Sequence, residues 1–237
     1  MKLIALFICL VSLAHANTQW SSNRDHSEIL FKLSYLEVSE VTGRFNDFMA
    51  SAEFDDQRNP TSVKVSIKSD SIDTSQKLRD SHLKREEFFG TKNHPEIIFL
   101  GNKVSKIGKD KFKVNGNITI KNITKPMTVY MELTKDMKDT WGHNNRFVKF
   151  TSKINRQDFN IKWNKTLDEK KFLVGDEVSL WGVFQLQLSN DSTPASKHMI
   201  PDTDYIRGRE DKIRQKKNEP KEESNISKKF RKLINGQ

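Results

Sequence analysis

The sequence has almost no cysteine, no long apolar run and no catalytic signature, and each absence removes a class of protein. Its one cysteine, Cys9, lies in a short apolar stretch near the start. Beyond it no thiol can form a disulfide or ligate a metal, so a domain built from the remainder must stand on its own hydrophobic core. No stretch approaches the roughly 20 apolar residues that a membrane-spanning helix needs. There is no nucleophile elbow, no phosphate-cradling glycine loop and no dinucleotide-binding fingerprint. His26, His82, His94 and His143 are scattered, without the paired spacing of a metal site. Asp25-His26-Ser27 holds the residue types of a hydrolase triad, but neighbours on a strand point to opposite faces and a triad has to converge. That trio reads as structural. Asp73, Asp80, Glu86 and Glu87 alternate with Lys77, Arg79, Lys84 and Arg85, as solvated ion pairs do. The chain therefore reads as a non-enzyme with no cofactor and no metal.

What is present begins with a leader. Met1-Lys2, an apolar run over residues 3–13 and the small-x-small triplet Ala14-His15-Ala16 form the pattern of a secretory signal peptide, with cleavage expected after Ala16. Phe7 and Ile8 before Cys9 do not supply the small residues that lipid attachment requires. The expected product, from residue 17, is soluble and either periplasmic or secreted. The net charge is +10, and residues 191–237 hold 12 basic and 8 acidic residues. In an exported protein such a balance points to anionic lipid or acidic surfaces and not to nucleic acid.

Residues 20–190 alternate with period two, the mark of strands with one wet and one dry face. Val178, Leu180, Phe184, Leu186 and Leu188 share one parity, interrupted only by Gly182. Ile29, Phe31 and Leu33 form a second set, Val63, Val65 and Ile67 a third, and Phe112, Val114, Ile118 and Ile120 a fourth. Strands are expected near residues 20–35, 42–54, 62–69, 96–104, 111–120, 127–134, 147–155 and 175–188. About eight antiparallel strands commonly close into a barrel, which removes exposed edges. The fold class is all-β: an eight-stranded antiparallel barrel over residues 17–190. Such a barrel holds one small ligand or is filled by its own side chains; the 13 Phe and 4 Trp of residues 17–190 leave both open.

The insertion at residues 70–95 is too long for an ordinary connection and reads as a lid. Its Leu78, Leu83, Phe88 and Phe89 suit short helical turns with a few apolar anchors. After Asn190 the chain turns polar, with Pro194, Pro201 and Pro220, and residues 191–237 read as a flexible basic tail. Within it Ile226, Phe230, Leu233 and Ile234 fall at i, i+4, i+7 and i+8 among four cations, a short amphipathic helix over 225–234 able to lie on an anionic bilayer or to dock in a groove.

Several pieces, taken in order, resemble the YceI-like family. They are Trp20 with Asp25-His26-Ser27 and Ile29-Leu30-Phe31, Val41-Thr42-Gly43-Arg44-Phe45 with Phe48, and Ser71-Ile72-Asp73-Thr74 with Arg79-Asp80-Ser81-His82-Leu83 and Phe88-Phe89. Pro95, Ile97 and Phe99 follow, then Gly116-Asn117-Ile118-Thr119-Ile120, Thr124-Lys125-Pro126, Ile154-Asn155-Arg156-Gln157-Asp158-Phe159 and Val174-Gly175-Asp176-Glu177-Val178. Asn160 stands where that family commonly has glycine. The resemblance implies an extended, lipocalin-like barrel with a deep apolar tunnel that binds polyisoprenoid or fatty-acyl chains without catalysis.

The strand parity and the lid give an expected ligand-binding set: Ile29, Phe31, Leu33, Phe45, Phe48, Val65, Ile67, Leu83, Phe88, Phe89, Phe99, Ile118, Met131, Trp163, Phe184 and Leu186. Arg79, Lys84 or Arg85 is expected beside an anionic head group at the mouth. The expected partner is a polyisoprenoid or other long-chain lipid, with an anionic membrane surface for the tail; a homodimer stays open. The competing expectation is a periplasmic adaptor with a filled barrel, whose basic tail engages membrane or a protein.

Overall fold

The computed structural model describes residues 18–188, apart from 165, 169 and 170. The leader and the basic tail lie outside the described residues. In chain order the strands are β1 (Thr18–Tyr35), β2 (Ser39–Phe45), β3 (Phe48–Phe54), β4 (Pro60–Lys68), β5 (Ile72–Asp73), β6 (Glu96–Gly108) and β7 (Lys111–Ile120). Then come β8 (Ile123–Leu133), β9 (Met137–Lys138), β10 (Asn144–Asn155), β11 (Thr166–Asp168), β12 (Lys171–Phe172) and β13 (Glu177–Leu188). One helix, α1 (Lys77–Leu83), lies in the long insertion.

The main strands neighbour one another in the order β13-β10-β8-β7-β6-β4-β3-β1, and β1 pairs again with β13. The sheet is thereby closed into an eight-stranded antiparallel barrel. The strand expected at 42–54 starts earlier and is broken. β1 is long enough to pair with β3 through Thr18 to Ser21 and with β2 through Ile29 to Tyr35, so β2 and β3 together occupy one place in the wall. The break at Asn46 and Asp47 faces a bulge in β1 between Asn23 and Glu28, and Arg24 Nη2 donates to Asn46 O across it at 2.6 Å. Past the break β3 stays with β4, whereas β2 pairs with β5 of the insertion.

That bulge also settles Asp25-His26-Ser27. Ser27 Oγ donates to Asn23 O at 2.5 Å and accepts from the Gln185 N–H at 3.0 Å. It replaces the ladder bonds that the bulge displaces. The trio is part of the seam between β1 and β13.

Period-two alternation places Phe31, Val65, Ile97, Phe99, Ile118, Val148 and Phe184 in one buried interior cluster. Outward positions carry exposed Lys64, Asn117, Lys149, Thr151 and Lys153, with Met49, Leu100 and Tyr130 as apolar exceptions. Apolar inside and mostly polar outside is the reverse of a barrel that sits in lipid. Asn160 ends the 3-10 turn Arg156–Phe159 at φ +57°. That left-handed conformation suits glycine best and asparagine next, so asparagine fits where the resembling family has glycine.

Gly182 is the tightest point of the seam. A Cβ there would stand 2.1 Å from Glu28 O and within 2.9 Å of the Phe150 ring, and that ring stacks on Phe184 at 4.9 Å. Gly182→Ala should therefore lower stability by about 1–3 kcal/mol. Gly108→Ala, whose Cβ would come no closer than 3.6 Å to anything, should be nearly neutral. Denaturant unfolding followed by circular dichroism measures both; equal stability of the two variants would show that β1 and β13 tolerate separation.

A covered apolar cavity as the candidate functional site

The barrel is sealed at one end. Arg146 shares the inward parity of Val148 and Phe150 on β10, yet it is buried. Its guanidinium lies 4.3 Å from the Phe54 ring and 4.9 Å from the Trp20 ring. Nε donates to Asp136 Oδ1 at 2.6 Å, and Asp136 also pairs with Arg58 at 2.9 Å. A buried charge is tolerated when it is paired in this way, and two aromatic faces add cation–π contact. Phe54, Phe112 and Val114 fill the same end. Nothing in the alternation marked Arg146, because an arginine at an inward parity position reads as an exception and not as a plug.

Above this floor the side chains do not meet. A cavity of about 820 Å³ runs toward the other end of the barrel, within the roughly 300–1,000 Å³ usual for small-molecule sites. Fifteen of the sixteen expected residues border it: Ile29, Phe31, Leu33, Phe45, Val65, Ile67, Leu83, Phe88, Phe89, Phe99, Ile118, Met131, Trp163, Phe184 and Leu186. Phe48 does not. It is buried, with its ring 5.8 Å from that of Phe184, and so packs within the wall. Near the floor the wall thins to the methyl groups of Ala50 and Ala52. Sequence reasoning overlooked these two because small residues carry little hydrophobic signal, although both share the inward parity of Phe48 and Phe54. It also omitted Val148, Phe150 and Ile154 of β10, which line the cavity and alternate as plainly as the residues chosen.

The insertion at residues 70–95 covers the open end. Ile72, Thr74, Gln76, Leu78, Arg79, His82, Leu83, Phe88 and Phe89 all border the cavity. The cover is pinned on both sides. Phe89 meets Phe45 of the wall edge-on at 6.0 Å. Phe88 lies 5.4 Å from Trp163 of the facing loop, and the His82 ring packs against both Phe88 and Trp163, at 4.8 and 5.6 Å. His82 Nε2 also sits 3.2 Å from Glu87. The backbone N–H of Glu87 holds that carboxyl below its usual range, despite some desolvation, with His82 adding to the effect. Leu78, expected as an anchor, is instead 80% exposed at the rim. It follows the helix N-cap Gln76 and touches the cavity only from its exposed rim, whereas Leu83 packs against the core. Lys84 and Arg85, expected at the mouth beside Arg79, do not border the cavity; their N–H groups close the turn after α1 on Asp80 O and His82 O.

The facing loop is fastened by Arg156. Its Nε donates to Gly175 O, Nη1 to Ile161 O and Trp163 O, and Nη2 to Val174 O and to Asp176 Oδ1 at 2.8 Å. Burial pushes the Arg156 pKa down, and the Asp176 carboxylate works against that push. Two pieces of the resemblance that lie 20 residues apart are thus one contact in space.

A closed antiparallel barrel with a sealed floor, an apolar cavity and a covered mouth is a lipocalin-like barrel. The YceI-like domain matches residues 20–186, and the chain belongs to the YceI-like family. A UPF0312 protein of Photorhabdus laumondii is 36% identical over 160 residues, 67% of this chain and 82% of that relative. BcnA of Burkholderia cenocepacia superposes with a TM-score of 0.60 at 21% identity, over 71% of this chain and 99% of BcnA. A domain from Saccharophagus degradans, described as polyisoprenoid-binding and implicated in plant cell wall breakdown, superposes with a TM-score of 0.53 at 11% identity, over 73% of this chain and 99% of the domain. At these identities the two structures establish the fold.

The pinning of the cover gives a kinetic expectation. Phe88→Ala together with Phe89→Ala should speed release of a bound apolar chain by about 10-fold or more while changing the entry rate less, since affinity changes fall mostly on dissociation. Stopped-flow release of a fluorescent fatty acid measures this, and an unchanged off-rate would reduce the insertion to a plug.

Proposed function

We propose that this chain is an exported, non-catalytic carrier that shields one long apolar lipid chain, of polyisoprenoid or fatty-acyl type, from water. The observation that carries this reading is the cavity of about 820 Å³ between a sealed floor and a covered mouth. The filled-barrel adaptor does not fit a cavity of that size. The polyisoprenoid-binding description of the Saccharophagus degradans domain supports an apolar-chain ligand for this chain as well. Export rests on the leader at residues 1–16 and remains part of the proposal.

Energetics decide the class of cargo. Each methylene moved from water into the cavity is worth about 0.8 kcal/mol, while association costs about 4–15 kcal/mol in lost freedom. A chain of five methylenes gains about 4 kcal/mol and barely meets the smaller figure. Retention therefore demands a long chain that fills most of the length from mouth to floor.

The direct test is mass spectrometry of organic extracts from the purified protein, expected to show a stoichiometric long-chain lipid. A second test uses the thin wall. Ala50→Phe puts a ring into the cavity and displaces about five methylenes of cargo, a loss of about 4 kcal/mol. The folded variant should hold shorter chains than the parent or none. Unchanged cargo in a folded Ala50→Phe protein would reject the cavity as the binding site.

A further inference from the structure

Two arginines border the cavity, and they differ in what they have left to give. All five bonds of Arg156 described above go to the protein. Arg79 is held by two. Its Nε donates to Thr74 Oγ1 at 2.7 Å and its Nη2 to Thr74 O at 2.8 Å. Thr74 is itself buried and fixed, because Asp80 Oδ1 accepts from both its N–H and its hydroxyl. Nε and Nη2 form one edge of the guanidinium plane. The bonds to Thr74 use that edge and leave the opposite fork, one hydrogen each on Nη1 and Nη2, without a partner among the described residues.

The acids around the mouth do not neutralise this fork. Asp80 reaches Arg79 only through the Thr74 hydroxyl. Both oxygens of Glu40, which borders the cavity, accept from Lys32 Nζ at 2.8 and 3.0 Å. Glu87 faces His82. Glu86 sits between His94 and Lys121. Asp73 accepts from the Ser75 N–H and from Asn46 Nδ2, which hold its carboxyl below the usual range. A fixed, planar, permanently charged donor pair at the rim of an apolar cavity matches the two oxygens of a carboxylate or a phosphate.

We propose that Arg79 is the head-group site of this protein, and that the preferred cargo is an amphiphile with an anionic oxygen head bound end-on by the free guanidinium fork. This rests on the apolar-chain reading and adds a polar end to it. The head stays at the mouth under α1, and the tail runs toward Ala50 and Ala52.

The test uses the delipidated full chain and three probes with one sixteen-carbon tail, palmitate, hexadecyl phosphate and hexadecanol, each delivered from cyclodextrin. The parent should bind the better of the two anionic probes about 10-fold more tightly than hexadecanol, the scale of a charge-assisted bond. Palmitate against hexadecyl phosphate shows which head the fork prefers. Arg79→Gln should erase the anionic preference while leaving hexadecanol affinity within twofold. Arg79→Lys, which keeps the charge and loses the fork, should retain only part of the preference. A uniform loss for all three probes in Arg79→Gln would make Arg79 structural and overturn the proposal, as would a preference that survives the substitution. Hexadecanol bound as tightly as the anions by the parent would overturn the head-group site alone. No binding of any probe by the parent, with no lipid in its extracts, would sink the apolar-chain reading as well.

Discussion

Everything in this structure depends on the meeting of β1 and β13. An antiparallel sheet of eight strands has two edges, and here they hydrogen-bond to each other over Trp20 to Lys32. Without that seam the alternating side chains would have a face but no inside. The seam leaves no free room for a side chain at residue 182, and its one irregularity is stitched by the Ser27 hydroxyl. Closure converts a parity pattern into a cavity, because residues of one parity on every wall now point at one axis.

Closure alone does not leave space. Interiors ordinarily pack to the density of organic crystals, and the floor of this barrel does so around Phe54 and Val114, which are almost fully buried. The cavity survives above it because the floor is rigid and the wall has small members. Arg146 cannot shift into the void without leaving Asp136 and its two aromatic faces. Ala50 and Ala52 cannot reach across it. Collapse would also have to pull down the cover, which Phe88, Phe89 and His82 hold against Trp163 and Phe45.

How much of this was legible follows from which physical signals are local. Inward parity is local, and it gave Phe31, Val65, Phe99, Ile118 and Phe184 their places. The first strand was expected to end at Tyr35, as it does, but the tight turn that follows carries no turn chemistry. Leu36 and Glu37 occupy its positive-φ positions, where glycine or asparagine would have announced it. The break between β2 and β3 falls at Asn46-Asp47, opposite the bulge in the partner strand β1; the polar pair is a local turn signal that the run of apolar alternation around it masked. Phe48 carries the right parity and hydrophobicity, but whether a ring lines a cavity or packs beside it depends on Phe184 across the sheet. Leu78 and Leu83 are alike in composition and both border the cavity, but the short α1 leaves Leu78 exposed at the rim and packs Leu83 against the core. The Arg156 contacts join segments 5 to 20 residues apart, and only the fold shows that they are one clamp.

The two ends of the cavity now explain each other. Both hold an arginine, so charge alone would not orient an amphiphile. The difference lies in satisfaction and access. Arg146 does not border the cavity; its charge is spent on Asp136 and on the Trp20 and Phe54 rings, and an anionic head reaching it would have to displace them and lose its own hydration. Arg79 is exposed, held flat by Thr74, and still has donors to offer. A head group at the mouth keeps part of its water and gains a fork, whereas one at the floor loses all of its water and gains nothing. For the proposed amphiphile the tail then enters first, and the depth from the Arg79 fork to the Ala50 and Ala52 methyls sets the length of chain that fits.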